Sequence, residues 1–434
     1  MMKEHFPKEI SKKKITLLYA IIQGGYWSSF CATYGFATVF LLSRGFTTSQ
    51  IGISIALANV LAVVCQPTVA TIADEAKKIS LHSLTILLIV ADFILFGLLF
   101  FTGNFFIATM ALFVLTNTVS QTVQPLINSI SFYYINRGVD MNFGLPRSMG
   151  SMSYAIVSTI IGYLVEDYGS NVILIFGVVI FAIIGITVAV MPRVVKTNST
   201  VQGETFDADD SASGEKKVGE AEAKGSSVTG SKKESIFSFF GRYKIFSVAL
   251  LGSTCIFIFH FATNNYMLQI AENVGGSAAT MGTALSIAAM CEIPSMMFSE
   301  QIMKKIKYNY LLVLSGLFFC VKAFVYIVAV NIPMLYVSQV LQMVSYAFFI
   351  PASVYYVNEN MNDNDKVKGQ AIMTGTTTLG GVIGSLIGGI IIDYLGVKTL
   401  QWVGFAFAVT GAVLFLLSAG GILEKKNKKS TCNI

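Results

Sequence analysis

Three charged side chains stand inside long apolar runs: Asp92 in 81–102, Glu292 in 278–303 and Lys322 in 309–330. The chemistry open to a carboxylate in such surroundings is to take up and release a proton. An ammonium group can answer its charge. A charge at the centre of a bilayer costs about 2.5–3.5 kcal/mol on insertion scales, so each group needs a wet cavity or a partner. Glu292 therefore reads either as half of a structural ion pair with Lys322 or as a cavity-lining group that couples cargo to a proton. Both hold if the pair breaks and re-forms. Asp92 stands 230 positions before Lys322 and reads as a structural hydrogen-bonding group or a second coupling group, a cation site included.

Other polar groups sit in apolar surroundings. "ATNNY" (262–266) places Asn264 and Asn265 in the seventh run. Buried amides need partners, so they are expected to bond a polar cargo or a neighbouring helix. Arg147, at the start of the run 144–166, is either a positive anchor or a cargo contact, since a guanidinium fork suits hydroxyl, carboxylate and phosphate oxygens. Tyr26 and Trp27 suit packing or stacking. "GQAIMTGTTTLGGVIGSLIGG" is dense in small residues and reads as a close-packing helix.

Catalytic patterns are missing. The sequence has no GK[ST] phosphate loop, no HExxH and no nucleophile elbow. Five of the six cysteines lie in apolar runs, no CxxC occurs, and His5, His82 and His260 are scattered. No enzyme activity, cofactor, metal or nucleic-acid partner is expected.

The elements that must position these groups are membrane helices. The 434-residue chain is 54% hydrophobic and 12% charged, where a soluble chain carries about 25% charged residues. Twelve apolar runs recur, at 15–42, 50–73, 81–102, 106–135, 144–166, 170–191, 245–271, 278–303, 309–330, 332–358, 368–392 and 397–422. Each is long enough for a hydrocarbon core of about 30 Å at 1.5 Å per residue. With both termini placed inside, 27 of the 30 Lys and Arg fall on that side, and only Arg44 and Lys398 fall on the other. The asymmetry predicts cytoplasmic termini and a multi-pass plasma-membrane protein.

Between about 196 and 233 the composition turns to Gly, Ser, Ala, Glu and Lys without an apolar face, which predicts a flexible linker. The expected organisation is a six-helix bundle over 1–192, a cytoplasmic linker over 193–244 and a second six-helix bundle over 245–434. The halves echo each other. Ile161, Gly162, Asp167 and Tyr168 match Ile387, Gly388, Asp393 and Tyr394 at one offset, which Pro125 and Pro351 share. Pro67 and Lys77–Lys78 parallel Pro294 and Lys304–Lys305. Two parallel repeats around a midplane site are the plan of a rocking-bundle transporter.

At these motifs the chain resembles the major facilitator superfamily, and within it the oligosaccharide–proton symporters. "QPTVATIADEAKK" is similar to that group's loop after helix 2, which would make Asp74 a gating residue. "FGLPRSMGSMSYA" is similar to its helix-5 start, which puts Arg147 at the sugar-binding arginine and Tyr154 at a ring-stacking aromatic. Glu292 falls on its helix-8 glutamate and Lys322 on its helix-9 arginine. The departures are Asn128 and Ser129 near its helix-4 glutamate, and Gln342 and Ser345 at its helix-10 histidine and proton-carrying glutamate. These turn the reading away from lactose and from that group's own proton relay.

The expectation is an all-α membrane protein of twelve helices in two bundles that moves a small polar organic solute (a sugar, nucleoside or aromatic acid) by alternating access with proton symport. It is expected to act as a monomer. Arg147, Tyr154, Asn264 and Gln342 would hold the solute, and Glu292, Lys322 and Asp92 would couple it. Drug–proton antiport is the alternative, favoured by the 12% aromatic content. A ligand-binding sensor on the same fold is a third.

Overall fold

The computed structural model describes residues 12–75, 80–137, 139, 144–192 and 236–431, and all regular structure among them is helical. The first membrane helix, α1, runs Lys12–Phe30, passes through a π-helical turn at Cys31–Gly35 and finishes as Ala37–Ser43. Next come α2 (Thr48–Glu75), α3 (Leu81–Leu98), α4 (Phe106–Ile135), α5 (Gly144–Tyr168) and α6 (Asn171–Val190). A short helical segment, Ile236–Arg242, leads into α7 (Lys244–Asn265), which continues as Met267–Glu272. It occupies the last part of the range expected to be linker; the rest of that linker, 193–235, lies outside the described residues. Then follow α8 (Ala278–Met297, then Ser299–Lys305) and α9 (Tyr308–Val328). α10 comes in three pieces, Ile332–Val340, Leu341–Met343 and Tyr346–Asn360. Asp363–Thr431 is two helices folded at Gly396, whose φ of 80° favours glycine, and they are α11 (363–395) and α12 (397–431).

Nine described helical spans are long and apolar enough to cross a membrane, one of them holding both α11 and α12. Lys12–Phe30 of α1 and Ala278–Met297 of α8 are long enough, at 19 and 20 residues, but their charged, glycine and hydroxyl residues leave them less apolar than those nine. The expected twelve-helix, two-bundle architecture is the one observed. Pro67, Pro125, Pro294 and Pro351 lie inside α2, α4, α8 and α10. Each removes a backbone hydrogen bond, which membrane helices tolerate where neighbours satisfy the freed carbonyl.

α1 packs on α5 and α6, and α3 packs on α4 and α6. In the C-terminal half α7 is embraced by α11 and α12. Gly380 and Gly384 of α11 lie against Phe257 and Ile258, while Gly411 of α12 lies against Gly252 and Ile256. The halves meet along two seams, α2 with α11 and α5 with α8. Both seams are closest at the end where α1 finishes and α2 begins, here termed distal. A Cβ on Gly162 would sit 2.8 Å from the Ala278 carbonyl oxygen, and one on Gly282 would enter the Ser158 carbonyl. Across the other seam, Gly52 abuts the Ser385 carbonyl and Gly389 the Thr48 carbonyl.

Hydrogen bonds between the halves gather at the same end. The Asp393 carboxylate accepts from the Thr48 amide (3.0 Å), the Thr48 hydroxyl (2.5 Å) and the Ser49 amide (2.7 Å). Tyr266 Oη lies 2.7 Å from the Ser385 carbonyl and 3.2 Å from that of Thr48. Thr38 donates to the Asn265 carbonyl, and Ser277 Oγ donates to Glu166 Oε2 at 2.7 Å. Toward the proximal end the seams part. Gly375 of α11 has open space where a Cβ would stand, and Thr374, Met290 and Met149 are exposed. Among the described residues the closest contacts between the halves thus lie at the distal end.

Candidate functional site

The site begins with the break in α10. After Val340 the helix tightens through Leu341–Met343, and Ser345 takes φ −90° and ψ −78° before the helix resumes at Tyr346. The interruption is held by side chains. Ser345 Oγ donates to the Leu341 carbonyl at 2.8 Å, and Ser315 Oγ of α9 donates to the Ser345 carbonyl at 2.6 Å. Irregular backbone at membrane depth is tolerated where protein or a cavity surrounds it.

The break carries Gln342 between two charges. Lys322 Nζ of α9, 1% exposed, donates to Gln342 Oε1 at 2.5 Å. Gln342 Nε2 donates to Glu292 Oε1 of α8 at 2.8 Å. The lysine and glutamate are thus joined through an amide that bonds both. Hydrogen bonds to charged groups contribute about 1.5–3 kcal/mol each, enough to offset the cost of about 2.5–3.5 kcal/mol for a charge at the bilayer centre. Lys322 Nζ also stands 5.9 Å from the centroid of the Tyr326 ring, whose hydroxyl accepts from Gln339 at 2.7 Å.

His260 extends the cluster into α7. Its ring stacks on Tyr346 (5.0 Å between centroids, 13° between planes), and its Nε2 lies 3.0 Å from Asn264 Nδ2. The sequence reading kept His260 out of the site. It lies four residues before Asn264, hence on the same helix face, and that spacing was the available signal.

The N-terminal half contributes an aromatic wall. Trp27, Phe30 and Tyr34 follow one another along α1, with Phe30 stacked on Tyr34 at 5.0 Å and Trp27 edge-on to Phe30 at 5.6 Å. The π turn sets Tyr34 at the top of this wall, a position such turns often take at functional sites. Its hydroxyl meets Asn59 Nδ2 of α2 at 3.4 Å, and Asn59 Oδ1 accepts from Gln121 of α4 at 3.1 Å. Tyr154 of α5 is half-buried and lies over Gly35, whose missing side chain makes room for its hydroxyl. It stands near Glu292, across the halves.

The structure therefore brings Glu292, Lys322 and Gln342 together, places Asn264 beside them through His260, and faces them with Tyr154. Asn265 is drawn away to the distal seam, where it bonds Ser385 at 2.8 Å. Asp92 stands apart, buried between α3 and α4. Tyr26 packs inward with its hydroxyl on the Ser120 carbonyl, and Thr376 is paired with Ser253 inside the C-terminal half. Asn128 accepts from Gln23 of α1 at 3.1 Å. The backbones of Arg147 and Asp74 lie in α5 and α2, and their side chains are outside what is described.

Comparison with known proteins agrees with this architecture. The model of the MFS_1 like family matches residues 18–403. The uncharacterized transporter YwbF of Bacillus subtilis is 23% identical over 427 residues, covering 94% of this chain and 95% of that protein. Among solved structures, the nucleoside transporter NupG superposes with a TM-score of 0.73 as a mutant form, at 14% identity over 94% of this chain and 99% of that one. A bacterial homologue of the human lysosomal transporter Spinster superposes with a TM-score of 0.65, at 12% identity over 96% of this chain and 99% of that one.

Proposed function

The chain belongs to the MFS_1 like family and is a multi-pass membrane transporter of the major facilitator type, and we propose that it is a proton symporter for nucleosides or similar ring-bearing polar solutes. The observation that carries this reading is the opposition of two walls. One is the Trp27–Phe30–Tyr34 ladder with Tyr154; the other is the hydrogen-bonded chain Lys322–Gln342–Glu292 with Asn264 and His260. A flat base suits the first and ribose hydroxyls suit the second. The nucleoside specificity printed for NupG lends support at the level of class only.

In this reading Asn264 and Gln342 bond the solute, Tyr154 stacks on it, and Arg147 and Asp74 act at the proximal mouth as a binding fork and a gate. Glu292 carries the proton. Loading it removes the negative charge that Lys322 answers through Gln342, and this frees the amide to turn toward cargo. Because the lysine already answers Glu292, a permanently cationic drug gains little there, and antiport of such drugs ranks second. The excess of basic residues at the proximal end makes that end cytoplasmic, so the close contacts between the halves lie on the outer side.

The test is uptake by proteoliposomes holding the purified protein. An imposed proton gradient should accumulate radiolabelled uridine above its outside concentration, and a protonophore should abolish this. Accumulation of a cationic dye in acid-loaded vesicles, with no uridine flux, would replace this reading with drug antiport.

A further inference from the structure

We propose that Asp92 is a second proton-binding site, located in the N-terminal half and away from the Glu292–Gln342–Lys322 cluster, and that it holds a proton in the arrangement seen here. Asp92 lies in α3 and is 1% exposed. Its Oδ2 accepts from Ser120 Oγ of α4 at 3.0 Å, and its Oδ1 is buried with no hydrogen-bond partner among the described residues.

Among the described residues no cation stands by it. α6, which packs on α3, carries no ionisable side chain along Asn171–Val190. The ionisable groups of α4 are Tyr133 and Tyr134 near its proximal end, both occupied with His82, the other ionisable group of α3. From α1 the nearest is Tyr26, whose hydroxyl bonds the Ser120 carbonyl at 3.2 Å. The lysines that open α1, ending at Lys14, lie twelve residues from Tyr26, about 18 Å along a helix. An ionised carboxylate buried with one neutral donor and no counter-charge is strongly disfavoured, and such a group takes up a proton instead. The two oxygens fit that state. The one that accepts from Ser120 is the carbonyl oxygen, and the partnerless one carries the hydrogen.

The site is wired to the cargo wall. Ser120 holds Asp92 through its hydroxyl and Tyr26 through its carbonyl, and Tyr26 is edge-on to Trp27 at 5.6 Å. Movement of α1 as the halves rock would disturb the Ser120 contact and admit water to the acid. The coupling part of this inference rests on the symport reading above; the protonation part does not.

Infrared spectroscopy of the lipid-reconstituted full chain tests protonation directly. At neutral pH, in choline chloride, a protonated-carboxyl stretching band is expected that disappears in Asp92→Asn and persists in Glu292→Gln. Ser120→Ala should move this band to higher frequency by removing the bond to the carbonyl oxygen, which keeps the assignment testable if Asp92→Asn fails to fold. Absence of any band that responds to these changes would show an ionised Asp92 and overturn the proposal. A band that vanishes when sodium replaces choline would overturn it in favour of a sodium site. In proteoliposomes Asp92→Asn should lower the protons moved per uridine and spare uridine exchange; an unchanged ratio would overturn the coupling. If no variant or wild-type protein moves uridine yet the band behaves as expected, the nucleoside reading fails and the proton on Asp92 stands.

Discussion

The two seams that close the distal end join helices whose sequences echo each other, yet they are fastened differently. Both bring backbones together over glycine, Gly162 and Gly282 in the α5–α8 seam and Gly52 and Gly389 in the α2–α11 seam. Polar fastening is concentrated on one side. Asp393 caps the start of α2 with three bonds, supplying acceptors to amides that have no partner within the helix, and Tyr266 adds a hydroxyl shared between two carbonyls. The α5–α8 seam has the Ser277–Glu166 bond at an exposed edge. The repeated feature is thus shape, and the polar latch is a local addition. Closure requires both seams to fit, while its strength is set mainly at α2 and α11.

The comparison breaks most readily at the glycines. Gly282→Val drives a side chain into the Ser158 carbonyl, and overpacking of this kind costs about 1–3 kcal/mol. It should abolish uridine transport in a folded protein and make a cysteine at Asn265, which the closed seam covers, reactive from the distal side. Normal flux would show that the seam does not need backbone contact.

Asp393→Asn should act less strongly. It keeps an acceptor for part of the cap but loses the charge, an effect of about 0.3–1 kcal/mol at a helix N-terminus. Distal labelling should rise several-fold with transport retained. Equal labelling of variant and wild type would deny Asp393 its place as the stronger latch. Glu166→Gln should be close to silent, because it alters one exposed bond that amide oxygen can still accept. A larger effect there than at Asp393 would reverse the assigned asymmetry.

Much of this was legible beforehand, because membrane helices announce themselves by length and because a central charge is costly. The spans and the convergence of Glu292 with Lys322 follow from those two facts. Gln342 is singled out through family resemblance alone, and there as a solute contact rather than as the bridge between Lys322 and Glu292. The break at 341–345 that positions it has no proline or glycine of its own, and it depends on Ser315 and Ser345 hydroxyls supplied by the tertiary structure. His260 was set aside because an isolated histidine in an apolar run looks structural; only the fold shows Tyr346 stacked on it and Lys322 nearby. The small residues of α11 read correctly as packing, although one helix serves two partners, α7 along one face and α2 along another. Asp393 looked like a repeat marker, since nothing local in "IIIDYLG" points to the start of α2.

The central claim is that Glu292 couples the proton to the cargo, and Glu292→Gln tests it most directly. Glutamine keeps the shape of the protonated acid and an oxygen that can still accept from Gln342, so the neutral half of the cycle should continue. Radiolabelled uridine should exchange across Glu292→Gln proteoliposomes at a rate near that of wild type, while proton-gradient-driven accumulation is lost. Gradient-driven accumulation that survives the substitution would contradict the account.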